Sequence, residues 1–389
     1  MNHRPVSALC GLAALAVLAA APALAQQAIK LPETLTWTAY DVGSGGYSQA
    51  VAIGNALKNK LGINLRVLPG KNDVSRTVPL REGKVPFSAN GVGGSYLAQE
   101  GVFEFGAKEW GPQPVRALII NNSDQLLSIV TAKDANIVTP KDLKGKRVAW
   151  VVGAPSLNQN ITAMLAFAGL TWADVKKVEF GGFGQAMEGI INNQVDAAFS
   201  SSISGFSYKV ASSPRGLRYP VFAHADKEGW ARMKKVAPFF VPVFGAEGAQ
   251  LSPANKVESA SYPYPILMAY KATDAELAYN MTRAMVELYD EYKAGAPGNA
   301  GWDIKRQVFD WVIPVHEGAV RYYKEKGLWT EALQKHNEAL IKRQDVLAAA
   351  WAAYAKGASD DEKAFAQGWM KARAEALTKA GMDVVQNEW

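Results

Sequence analysis

Hydrophobic and polar positions along this chain follow two periods, one of strands and one of helices. Leu35-Thr36-Trp37-Thr38-Ala39-Tyr40 is an apolar-rich run that predicts a strand, and it ends in the small-residue loop Gly43-Ser44-Gly45-Gly46. Ala50, Ile53, Leu57 and Leu61 then fall on one face of a helix that Gly62 stops. A strand is predicted over 63–68, closed by Pro69-Gly70, then a helix near 74–82. The strand Val85-Pro86-Phe87-Ser88-Ala89 enters a second glycine-rich loop, Asn90-Gly91-Val92-Gly93-Gly94-Ser95. Further strands are predicted at 115–120 and 126–132.

The same order then recurs. Residues 147–152 form an apolar run ending in Gly153-Ala154-Pro155-Ser156-Leu157-Asn158-Gln159-Asn160. A helix follows with Ile161, Met164, Leu165 and Ala168 on one face and Gly169 as its stop. A strand at 175–180 and a helix near 185–192 lead to Val195-Asp196-Ala197-Ala198-Phe199, which enters Ser200-Ser201-Ser202. Gly43 and Phe87 stand almost as far apart as Gly153 and Phe199. Two similar α/β lobes are therefore predicted, each offering two small-residue loops at the carboxyl ends of strands, where open α/β sheets bind ligands. Loops facing one another across two lobes form a cleft that can close like a hinge.

The first loop has neither the lysine and spacing of a Walker motif nor the G-x-G-x-x-G of a dinucleotide site. Two readings remain: a turn in which glycine relieves backbone strain, and a bare helix N-terminus whose amides and dipole favour an anion. Ser44 and the Tyr47 hydroxyl add donors to the second reading, and Ser156 and Asn158 repeat the arrangement in the second lobe. A carboxylate-sized anion is the expected occupant, not a nucleotide.

Composition narrows the class. Arg4, the apolar stretch 8–21 and Ala23-Leu24-Ala25 read as a secretory signal peptide over residues 1–25, cleaved near Ala25/Gln26. The apolar stretch is shorter than the ~20 residues of a spanning helix, and no later stretch is long and apolar enough, so a soluble exported protein is expected. The chain's single cysteine, Cys10, lies early in the leader, so a mature chain has no disulfide, thiolate metal site or cysteine nucleophile. With 389 residues, 49% of them hydrophobic, two lobes with real cores are expected. The net charge of +6 is mild and interspersed, which does not indicate nucleic acid. His224, His316 and His336 lack metal-ligand spacing, and His316 reads as a helix cap or a surface residue. No G-x-S-x-G elbow surrounds Ser200-Ser201-Ser202. Trp110, Trp150 and Trp172 are expected in the core.

Several segments together resemble the TAXI-type solute-binding proteins of TRAP transporters. They are Gly43-Ser44-Gly45-Gly46-Tyr47; Leu80-Arg81-Glu82-Gly83-Lys84-Val85-Pro86-Phe87; Asp142-Leu143-Lys144-Gly145-Lys146-Arg147-Val148; Gly153-Ala154-Pro155-Ser156; Val195-Asp196-Ala197-Ala198-Phe199; and the stretch from Pro314-Val315-His316-Glu317-Gly318 to Gly327. The last is the most specific. The resemblance spans roughly residues 34–330. It implies a two-lobed type II periplasmic binding protein, a Venus flytrap in the α/β class. Lobe 1 would run over 26–128, with the chain returning at about 258–300, and lobe 2 over 129–257. Beyond the resemblance the chain runs on, and a helical segment at 301–389 is expected to pack on the lobes, its extra amphipathic C-terminal helices broken near Gly357-Ala358-Ser359-Asp360 and either bracing the back or offering a docking surface. The resemblance implies a monomeric periplasmic receptor that binds a small organic anion of the amino acid or dicarboxylate class, without cofactor or metal. It also implies a TRAP permease with fused membrane subunits as partner. Carried over, the ligand-binding residues are Ser44, Gly45, Gly46, Tyr47, Asn90, Ser156, Asn158, Gln159, Asn160, Ser200, Ser201 and Ser202. A binding protein of an ABC importer, a periplasmic sensor and an exported enzyme on the same fold are the rival readings.

Overall fold

The computed structural model describes Met1 and residues 28–386, so the expected leader and its cleavage site fall outside the described residues. The chain first builds β1 (Thr34–Ala39), α1 (Gly45–Leu61), β2 (Asn64–Pro69), α2 (Asp73–Arg81) and β3 (Phe87–Asn90). A π turn at Gly93–Leu97 runs into the short α3 (Ala98–Glu100), and β4 (Val115–Ile120) follows. The second lobe contains β5 (Leu127–Ala132), β6 (Arg147–Val151), α4 (Pro155–Phe167), β7 (Lys176–Phe180), α5 (Phe183–Ile191), β8 (Ala197–Ser201), α6 (Gly205–Ser212), β9 (Leu217–Arg218) and α7 (Lys227–Val236). An antiparallel pair, β10 (Val241–Gly245) and β11 (Val257–Ser261), precedes the return strand β12 (Ile266–Tyr270). The chain ends in helices α8 (Ala275–Glu287), α9 (Tyr289–Tyr292), α10 (Glu317–Glu325), α11 (Glu331–Ala355) and α12 (Glu362–Lys379).

Local chemistry explains the elements that matter for the site. The Ser44 side chain caps α1 by accepting from Tyr47 N, and Gly62 ends the helix at φ 72°. Between these ends Ala50, Ile53, Ala56 and Leu57 form the buried stripe. Asn72 and Ser75 form a reciprocal cap at the start of α2.

The two sheets share one plan. The first has the order β2-β1-β3-β12-β4 and the second β7-β6-β8-β5-β9. In each, the three strands linked by the first two helices are parallel, and the fourth is antiparallel to its neighbours. That fourth strand is what the lobes exchange: β12 arrives in the first sheet from the second lobe, and β5 enters the second sheet directly from the first. The molecule thus has the two-lobed α/β fold of periplasmic binding proteins. The two connecting segments are bonded together, with Tyr264 N donating to Asn121 O (2.7 Å) and Asn121 N to Pro265 O (2.8 Å).

The C-terminal helices fasten to the first lobe behind the π turn. Arg343 of α11 donates to both Glu100 oxygens at 2.7 Å, and Arg373 of α12 also pairs with Glu100. Trp369 donates to Gly101 O at 2.6 Å. The tail beyond α12 touches the second lobe, where Gln386 donates to Val236 O at 3.2 Å. The helix break lies between Ala355 and Glu362, around Gly357–Asp360.

Candidate functional site

The lobes meet at the carboxyl ends of their parallel strands and close over a cleft. Its first-lobe wall carries Tyr40, Asp41, Ser44, Gly45, Lys71, Asp73 and Arg76, and Tyr262 and Tyr264 come from the connecting segment. The second-lobe wall carries Leu127, Ser156, Leu157, Phe183, Phe199, Ser200, Ser201 and Ser204. Direct bonds hold the lobes closed. Asp73 Oδ2 accepts from Ser156 N (2.9 Å) and Ser156 Oγ (2.6 Å), and Gly205 N donates to Gly43 O (3.1 Å).

The centre of the first-lobe wall is a buried ion pair on the first turn of α2. Asp73 is 1% exposed and Arg76 5%. Arg76 Nη2 pairs with Asp73 Oδ1, Nε donates to Asn90 Oδ1 (3.3 Å), and Nη1 to Gly70 O (3.3 Å). The guanidinium carbon lies 4.0 Å from the centre of the Tyr40 ring. Burial raises the hydroxyl pKa of Tyr40, Tyr262 and Tyr264 above the ordinary tyrosine value, so all three are neutral donors. The Tyr40 hydroxyl is buried without a well-formed hydrogen bond.

Of the residues expected to bind ligand, Ser44, Gly45, Ser156, Ser200 and Ser201 lie on the cleft wall. The others stand behind it. Gly46 lies against the Tyr40 ring, and Tyr47 packs on the first-lobe core. Asn90, fully buried, accepts from Arg76 Nε and Gly91 N. Asn158 bonds Val151 N and O (2.9 and 2.8 Å), tying α4 to the end of β6. Gln159 donates to Val236 O (2.9 Å), and Asn160 to the Tyr262 hydroxyl (2.8 Å). Ser202 donates to Glu247 O at 2.6 Å. The reason is a boundary. The stretch 156–160 is not loop but the first turns of α4, which starts at Pro155.

Asp73, Arg76 and the tyrosines are the residues that sequence reasoning missed. The available signal was Asp73-x-x-Arg76, a spacing that puts both charges on one face directly after the Pro69-Gly70 turn. His316 caps α10, accepting from Gly318 N at 3.2 Å. Trp110, Trp150 and Trp172 are half-buried and away from the cleft wall, rather than core residues. Among the described residues no group of three or more His, Cys, Asp or Glu is placed to hold a metal ion. No described helix is long and apolar enough to cross a membrane.

The model of the NMT1-like family matches residues 41–327, which takes in the second sheet, the first sheet except β1, the cleft wall except Tyr40, and α10. The chain belongs to this family. No curated protein matches the chain. Among solved structures, the chain is similar to the alkanesulfonate-binding protein SsuA from Xanthomonas axonopodis pv. citri bound to MOPS, with 13% identity over 79% of this chain and 84% of that one, at a TM-score of 0.43. The periplasmic aliphatic sulphonate binding protein SsuA from Escherichia coli matches with 13% identity over 91% and 95%, also at 0.43. An ancestral arginine-binding protein bound to arginine matches with 16% identity over 68% and 95%, at 0.39.

Proposed function

We propose that this NMT1-like protein is an extracytoplasmic solute-binding protein that captures a small organic anion between its lobes and delivers it to a TRAP-type secondary transporter. The observation that carries the reading is Arg76, a buried cation on the wall of a closed inter-lobe cleft, beside the first turn of α1. Three of its five N–H groups serve the protein, which leaves two for a ligand. The amide of Gly45 adds a donor at a helix N-terminus, since it has no hydrogen-bond partner among the described residues. Export rests on the leader, and the TRAP assignment on the segments that resemble TAXI proteins. An ATP-driven importer is the competing delivery route. A gene for a long polytopic permease beside this one favours TRAP, and a gene for an ATPase favours the rival.

A thermal-shift screen of small carboxylates tests the binding reading. A true ligand at a hundredfold excess over its dissociation constant should stabilise the protein by about 2.7 kcal/mol. A screen in which no carboxylate raises the melting temperature sinks the reading. Mass spectrometry of periplasmic material should find a mature N-terminus near Gln26; an intact Met1 on the soluble protein contradicts export.

A further inference from the structure

The cleft has one polar pole and one apolar pole. Most of the unused donors lie on the first lobe: two N–H groups of Arg76, the Gly45 amide and the buried Tyr40 hydroxyl. A carboxylate has about four lone-pair sites, and these donors match one such group. The facing wall differs. Leu127, Leu157, Phe183 and Phe199 are apolar, and of the four serines between them only Ser204, whose Oγ accepts from Phe206 N at 3.3 Å, keeps its hydroxyl proton free. Ser156 Oγ donates to Asp73, Ser200 Oγ to Ser201 O (3.2 Å), and Ser201 Oγ to Gln125 Oε1 (2.6 Å).

Charge gives the same answer independently. The charged residues of the wall are Asp41, Asp73, Lys71 and Arg76, and their formal charges cancel. One added carboxylate leaves a single excess negative charge beside Arg76. A second would face aliphatic and phenyl groups, with the single hydroxyl of Ser204 to replace its hydration.

We infer that the solute is a monocarboxylate with an otherwise apolar body, its carboxylate on Arg76, Gly45 and Tyr40 and its body against Leu127, Leu157, Phe183 and Phe199. This rests on the solute-binding reading above and narrows it against dicarboxylates. The test is calorimetry of the full mature protein with pentanoate and glutarate, which share a five-carbon chain and differ in a terminal methyl or carboxylate. Pentanoate is expected to bind at least tenfold more tightly. Equal or tighter binding of glutarate overturns this inference and leaves the solute-binding reading standing. If neither binds and the wider carboxylate screen is also empty, both fall.

Discussion

Tyr40 carries the most local consequence of this site. Its hydroxyl is buried without a well-formed partner, a situation that costs stability in the free protein. Tyr40→Phe should therefore leave the ligand-free melting temperature unchanged or raise it slightly. The same variant should weaken carboxylate binding about tenfold or more, since hydrogen bonds to a charged group contribute roughly 1.5–3 kcal/mol. Calorimetry beside a thermal melt checks both halves, and wild-type affinity in the variant contradicts the placement. A second residue makes a pH prediction away from the cleft. Asp196, just ahead of β8, is pushed up by burial. The side chain and backbone N–H of Arg147, with Arg215, outweigh this and hold its pKa at about 2. A carboxyl depressed in the folded state adds stability above its unfolded value, about 3.9, and loses it as pH falls toward 2. Asp196→Asn should thus cost about 2 kcal/mol at pH 7, with the gap to wild type closing as pH falls from about 4 to 2. Urea denaturation across that range measures it, and a pH-independent gap contradicts it.

At the scale of elements, α11 and α12 stand on one buried acid. Glu100 is fully buried between Arg343 and Arg373, and Arg373 is itself unexposed. Burial raises the Glu100 pKa, but the two arginines outweigh it and lower the value below the ordinary range. Arg373→Met should cost about 3–5 kcal/mol at pH 7, because it leaves a buried charge half-compensated. An unchanged urea midpoint would mean that the helices are a loose appendage. The elements also show what the sequence makes legible. Gly62 and the stretch Gly357–Asp360 mark helix ends because glycine, serine and aspartate favour caps and turns wherever they occur. The start of α4 is less legible. Ser156, Asn158, Gln159 and Asn160 look like loop by composition, yet they are buried polar residues in a helix, bonded to Asp73, β6, the end of α7 and Tyr262. Pro155 at the first helical position was the signal for that boundary. The Asp73–Arg76 pair is hidden for a different reason. Its spacing suits a solvated helix face, and its burial comes from elements distant in sequence, including Ser156 across the cleft.

At the scale of the whole molecule, two lobes of matching topology are joined by two bonded connections and closed by Asp73–Ser156 and Gly43–Gly205 contacts. Gly45 marks how closely they approach. A Cβ there would stand 3.0 Å from the Ile203 side chain of the second lobe. Gly45→Val should therefore prop the lobes apart. Binding should weaken strongly while the fold of each lobe persists, and the radius of gyration should stay large when ligand is added. The central claim is that a solute is held between lobes that close on it. Small-angle scattering of the wild-type protein, with and without the most stabilising carboxylate of the thermal screen, tests it most directly. The account predicts a smaller radius of gyration at saturation than in the free protein. A saturating ligand that leaves the radius unchanged would contradict it.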